Sequence, residues 1–145
     1  MRLTKHTDYA FRVLIYLGLM DEETTTINAM VEHFDISKSH VMKIVSKLVA
    51  AGYIKSSRGK HGGIKLGQAA DTINLRRIVE LMEHTLDPVD CNDGPCRLLQ
   101  ACKLKGILND AQAHYLSHLE GFNLSDLIHQ EVAPEQPLVH KPLQF

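Results

Sequence analysis

A chain of 145 residues is long enough for one ordinary domain, or for a small domain carrying an oligomerisation element, and too short for two large independent cores. Hydrophobic residues at 44% and charged residues at 23% lie near the averages of globular proteins, which excludes disordered and fibrous classes. The net charge of -1 conceals an asymmetry: residues 1–67 carry ten Lys/Arg against six Asp/Glu, whereas residues 68–145 carry six against eleven.

Residues 3–20 read as a first helix, because Ala10, Val13, Leu14 and Leu17 recur at helical spacing and Gly18 loosens the end. The apolar run inside it contains Arg12, follows Asp8 and meets Asp21 with no small-residue cleavage site. It is therefore expected to be neither a secretion signal nor a membrane span. The expected location is the cytoplasm, where three cysteines point to metal or redox chemistry rather than to a disulfide.

Thr25 or Thr26 is placed to cap a short second helix through Ile27, Met30, Val31 and Phe34, and Asp35-Ile36-Ser37 reads as a tight turn with Ser37 as the next N-cap. A third helix over residues 38–51 buries Val41, Ile44, Val45, Leu48 and Val49. It presents Lys38, Ser39, His40, Met42, Lys43, Ser46 and Lys47 on its other face. Gly52 ends it. Two short strands around Arg58, Gly59, Lys60, His61, Gly62 and Gly63 then read as a wing.

Asn74 is placed to cap a fourth helix with Leu75, Ile78, Val79 and Met82 on its apolar side, and Asp87-Pro88 is expected to stop it. The cysteine segment, residues 89–103, begins as a loop because of Gly94 and Pro95. A long helix follows, with Leu104, Ile107, Leu108, Ala111, Tyr115 and Leu119 in helical period up to Gly121. It has too few neighbours in its own chain and is assigned to a homodimer interface, with packing on the winged domain as the alternative. Ser125 is a candidate cap for a final short helix, and the proline-rich residues 131–145 are expected to form a disordered tail. The expected fold is thus mainly α with a minor β component. A winged helix-turn-helix domain occupies residues 1–70, and a cluster-binding loop and dimerisation helix occupy residues 71–130.

From residue 36 to residue 70 the chain has seven basic residues and no acid, a pattern suited to double-stranded DNA. In a helix-turn-helix the second helix enters the major groove, so Ser39, His40 and Lys43 are assigned to bases, and Lys38 and Lys47 to phosphates. Arg58 and Lys60, on a glycine-rich hairpin that lets backbone approach a strand closely, are assigned to the wing contact, with Arg58 as the minor-groove candidate.

Four residues separate Cys91 from Cys96 and five separate Cys96 from Cys102, unlike the paired spacing of a structural zinc site. Three thiolates leave a tetrahedral metal or a four-iron cluster one ligand short. Thiolates suit iron in clusters, and Lys103 and Lys105 offset cluster charge. Spacing alone still leaves a thiol redox switch and three unrelated cysteines open.

Residues 3–10, the segment 37–48, the wing 58–66 and Cys91, Cys96 and Cys102-Lys103-Leu104-Lys105 together resemble the NsrR-like members of a winged-helix regulator family that also includes IscR. The resemblance runs to about residue 130. It implies a dimeric transcriptional repressor of operator DNA that responds to nitric oxide and derepresses detoxification genes. The implied cofactor is an iron-sulfur cluster, 4Fe-4S with 2Fe-2S as the alternative, held on Cys91, Cys96 and Cys102. Asp8 of the partner subunit is the implied fourth ligand, with His33 and His84 as weaker alternatives. A carboxylate is a harder iron ligand than thiolate, so displacement of Asp8 by the gas is the implied trigger. Residues 103–109 lack the histidine that IscR-like members use, which separates this chain from them. Iron or oxidative-stress sensing through the same cysteines is the alternative regulator reading. An electron-transfer or enzymatic iron-sulfur protein is the rival class, disfavoured because the sequence shows neither a nucleotide-binding glycine motif nor a catalytic triad.

Overall fold

The structure, a computed structural model, describes residues 2–20, 23–59, 62–91, 96 and 102–128. The proline-rich tail, Lys60 and His61 of the wing tip, and much of the cysteine loop lie outside the described residues. Thr4 opens α1 (Lys5–Leu19): its hydroxyl accepts a hydrogen bond from the Thr7 N–H, satisfying one of the helix's orphan donors. Ala10, Val13, Leu14 and Leu17 form the buried stripe of α1, as their spacing predicts.

Thr26, not Thr25, caps α2 (Ile27–Phe34) by accepting from the Ala29 N–H. Asp35 closes α2 in the left-handed region at φ 51°, which Asp tolerates better than most residues, and the chain turns into α3 (Lys38–Ala50). Ser37 holds the N-cap position of α3, but its side chain makes no capping bond and lies 3.3 Å from the Ser39 hydroxyl. Gly52 at φ +80° ends α3 with paired bonds, Gly52 N–H to Val49 C=O and Tyr53 N–H to Leu48 C=O. β1 (Ile54–Ser57) and β2 (Gly63–Leu66) then pair antiparallel with Ile54 opposite Leu66 and Ser57 opposite Gly63. Thr25 bridges to Ile64 through two backbone bonds, of 3.0 and 2.8 Å, which ties the wing to the start of α2.

A 3₁₀ turn (Ala70–Thr72) leads to α4 (Leu75–Met82), where Asn74 caps by accepting from the Arg76 N–H and all four expected apolar residues are buried. α4 ends at Met82 rather than at Asp87-Pro88. Its end residue Glu83 is extended, and the carboxylate accepts from Thr4 N–H (2.8 Å), Thr4 Oγ1 (3.1 Å) and Thr7 Oγ1 at the start of α1. A tertiary clasp thus stops the helix before the proline is reached.

Partial burial raises the Glu83 carboxyl pKa, but the bonds from Thr7 and Thr4 and the nearby His84 outweigh it and hold the group below its ordinary range. A carboxyl depressed in the folded state contributes stability that is present above its unfolded pKa and lost as pH falls through the folded one. Glu83→Ala is expected to cost about 1–2 kcal/mol at neutral pH, discounted for partial solvent screening. In denaturant titrations the gap between wild type and variant should close steadily below about pH 4. A gap unchanged down to pH 2 would show that the ionised clasp contributes nothing.

α5 (Lys103–Glu120) begins after Cys102 and ends at Gly121, and α6 (Leu124–Ile128) follows. α6 starts one residue before Ser125. Asn123 stands ahead of it, its N–H donating to Asp126 Oδ2 at 2.8 Å. Leu124 is fully buried, and α6 packs on α1 as well as on the 3₁₀ turn. The α5–α6 link is fastened to the start of α4 by Leu75 N–H to Phe122 C=O, Leu124 N–H to Ile73 C=O, and the Asn74 side-chain amide to the Glu120 and Phe122 carbonyls. One hydrophobic core therefore runs from α1 through α2, α3, the wing and α4 to Leu124. The fold is mainly helical with one two-stranded sheet. No helix among the described residues is long and apolar enough to cross a membrane.

The single apolar stripe expected on α5 divides. Tyr115 and Leu119 are half-buried beside Leu75 and Val79 of α4, and Leu108 is half-buried as well, whereas Leu104 and Ile107 stay 59% and 64% exposed. Tyr115 sits close enough to the Glu83 carboxylate that burial and that charge raise its hydroxyl pKa. Packing on the winged domain, the alternative reading, thus holds for one side of this helix, and the other side is left uncovered by its own chain.

Candidate nucleic-acid interface and cysteine segment

α3 turns Val41, Ile44, Val45 and Leu48 inward, and its periodicity forces the intervening side chains out. Lys38, Ser39, His40, Met42, Lys43 and Ser46 are all exposed, and Lys47 is half-buried. The His40 ring contacts the His6 ring of α1 edge-on at 5.6 Å, so the first turn of α1 touches the candidate reading helix. Sequence reasoning could not find that contact, because nothing in the spacing links residues 6 and 40.

Arg58 is exposed at the end of β1, beside Gly59 at φ +114°. Gly62 N–H donates to Gly59 C=O at 2.9 Å. A Cβ on Gly62 would meet the Ser57 carbonyl at 2.5 Å, so glycine is needed for this turn to close. An open cleft of about 390 Å³ separates α3 from the wing and is lined by Thr26, Asn28, Lys38, Met42, Ser56 and Ser57. The lining hydroxyls and amide were not legible as site residues, since Ser and Asn are common in any loop. What is missing from the whole 36–70 segment is acidic charge.

Asp8 sits in the first turn of α1 and is paired with Arg12 at 3.0 Å, both side chains nearly half exposed, at 47% and 44%. An exposed i,i+4 pair of this kind is worth only about 0.3–0.5 kcal/mol, so it does not lock the carboxylate in place. Of the weaker candidates, the His33 ring meets Tyr16 at a tilt and Phe34 edge-on, both at 4.7 Å, and His84 follows the Glu83 clasp.

Cys91, Cys96 and Cys102 are free thiols, the first and last half-buried and Cys96 exposed. Cys102 is the N-cap residue of α5 and makes no side-chain capping bond, so its sulfur is not consumed by the helix it begins. The positive end of that helix and the adjoining Lys103 and Lys105 favour an anionic group. Among the described residues no three His, Cys, Asp or Glu side chains stand close enough to hold a single metal ion. Residues 92–95 and 97–101, which would shape the loop around a larger group, lie outside the description. The donor chemistry fits a thiolate-bound cluster: three free soft ligands, cationic neighbours and one position left for a non-thiol ligand.

Residues 3–130 match the protein family described as Rrf2, iron-dependent transcriptional regulator. The chain belongs to the Rrf2 family. Solved structures with the same fold include CymR, the global cysteine regulator of B. subtilis, at 22% identity over 88% of this chain and 96% of that chain, with a TM-score of 0.70. The oxidized form of Staphylococcus aureus CymR matches at 23% identity over 89% and 97%, TM-score 0.68, and T. potens IscR at 16% over 88% and 86%, TM-score 0.69. At these identities the likeness shows the winged-helix fold. Membership of the Rrf2 family makes the chain a DNA-binding transcriptional regulator.

Proposed function

We propose that this Rrf2 regulator is a homodimeric repressor that senses nitric oxide through an iron-sulfur cluster held by Cys91, Cys96 and Cys102, with Asp8 of the partner subunit as the fourth ligand. One observation carries the reading: three free cysteines lead directly into a helix whose Leu104 and Ile107 are left exposed by its own chain. A thiol at the start of a helix with an uncovered face, as Cys102 is, is suited to holding a group that feels the partner. Such a cluster supplies an iron that a small diatomic gas can bind.

The chain's own residues do the rest. In this reading Asp8, only weakly paired with Arg12, would hold the partner's cluster and so fix the start of α1, and His6 two residues earlier would carry that setting to His40 on the reading helix. Ser39, His40 and Lys43 meet base edges, Lys38 and Lys47 meet phosphates, and Arg58 and Lys60 engage the strand at the wing. Residues 1–70 supply the reading head, and residues 71–130 supply the sensing loop and dimer contact, with a shared core between them. Release of Asp8 alters the set of the two heads, so that they no longer span half-sites about one helical turn apart.

The test is operator affinity of anaerobically prepared, iron-loaded protein before and after nitric oxide. A fall of about 5–150-fold is expected, the range of typical allosteric couplings. Equal affinities would remove the proposed signal. Iron sensing is the second reading, favoured by the family's description as iron-dependent. It predicts that a chelator, and not the gas, produces the fall.

A further inference from the structure

The outward face of α3 is polar and cationic apart from Met42 and, at the helix's end, Ala50. Met42 is 49% exposed, midway along the helix, one residue before Lys43 and three after Ser39, with Ser46 one turn beyond. Methionine is among the residues most often buried, and a single exposed one needs no explanation by itself. Its surroundings supply one. Met42 lines the cleft between α3 and the wing together with Lys38, Ser56 and Ser57, in a stretch of chain without an acidic residue. A convex, polyanionic sugar-phosphate strand fits such a cleft, which would set the outward face of α3, Met42 included, into the adjoining major groove. In the major groove the apolar feature on base edges is the thymine 5-methyl group, and a flexible, polarisable thioether adapts well to it.

We infer that Met42 is a specificity-determining residue that reads a thymine methyl group in the operator. The inference rests on the assignment of α3 as the reading helix and adds what the polar candidates Ser39, His40 and Lys43 do not supply, an apolar contact. Lys38 beside it holds the adjoining backbone, while the Ser56 and Ser57 hydroxyls close the other side of the cleft.

The experiment uses the full-length protein and a duplex selected by it from a randomised pool. Each thymine of one half-site is replaced in turn by deoxyuridine, which removes only the methyl group. Wild type is expected to lose about fourfold in affinity at one position, the worth of burying one methyl group at about 0.8 kcal/mol. Met42→Ala should bind the thymine duplex about that much more weakly and show no further loss on the deoxyuridine duplex, while Met42→Leu keeps most of the discrimination. Because Met42 lies outside the buried core, thermal unfolding of both variants should match wild type, so weakened binding cannot be put down to misfolding. Wild type indifferent to every deoxyuridine replacement, or Met42→Ala losing the same increment as wild type, would overturn the inference and leave the DNA-reading assignment intact. Failure to select any duplex would overturn that assignment, and this inference with it.

Discussion

Cys91→Ser, Cys96→Ser and Cys102→Ser, made singly, are each expected to strip the chain of iron and sulfide and to reduce its nitric-oxide response from the proposed 5–150-fold to about onefold. Serine keeps the shape of the side chain but replaces a soft thiolate with a hard hydroxyl that suits cluster iron poorly. Since Cys96 is exposed and no disulfide joins the three, their loss should disturb the fold little, which separates a cofactor effect from unfolding. Asp8→Ala is the companion variant. It removes an exposed pair with Arg12 and a first-turn acid that suits the helix N-terminus, so thermal stability should change by less than about 1.5 kcal/mol. It should nonetheless leave the cluster labile and weaken the gas response, and Asp8→Glu should restore part of it. Iron and sulfide content, anaerobic absorption and operator affinity measured on the same samples decide the matter. Cysteine variants that bind and respond like wild type would leave the three thiols without the proposed role.

Leu124→Ala is expected to destabilise the chain by about 2–5 kcal/mol, the cost of lost burial plus the cavity left behind. Leu124 is fully buried in the common core, and its backbone N–H donates to Ile73 C=O at 2.8 Å, so the neighbouring segment is pinned and cannot collapse freely into the gap. At roughly 2–4 °C per kcal/mol for a protein of this size, the unfolding midpoint should drop by roughly 5–20 °C. Leu127, three residues on and 36% exposed, is the control, and its replacement by alanine should cost under about 1 kcal/mol. Circular dichroism melts of the two variants check the contrast. Equal small shifts would mean that α6 only rests on α1, in which case the core ends at α4.

The helices were legible where one face repeats at 3.6 residues and a capping side chain stands at the right offset. Thr26 ahead of α2 and Asn74 ahead of α4 satisfy both conditions, and Gly52 marks the end of α3 because its left-handed backbone suits glycine. Ser37 meets the rule by position and not by bonding, since its hydroxyl lies against Ser39 instead. The end of α4 was misplaced for a reason no local pattern carries: Glu83 leaves the helix to accept hydrogen bonds from Thr4 and Thr7, more than seventy residues earlier. The site divides in the same way. The lysines of α3 and Arg58 are recognisable as candidates by residue type and charge, whereas the spacing of the three cysteines leaves a redox switch and unrelated thiols open. The cleft that joins Met42 to Ser56 and Ser57, and the contact of His6 with His40, need the folded chain.

The order of the helices, the acid-free basic segment of residues 36–70 and the presence of three cysteines follow from the sequence, because periodicity, charge and side-chain chemistry are properties of neighbouring residues. Tertiary structure alone decided that α5 gives Leu108, Tyr115 and Leu119 to its own chain while leaving Leu104 and Ile107 uncovered, and that Leu124 belongs to the central core. An apolar stripe states that a face will be buried. Which neighbour buries it depends on how distant segments meet, and that is settled only when the whole core packs.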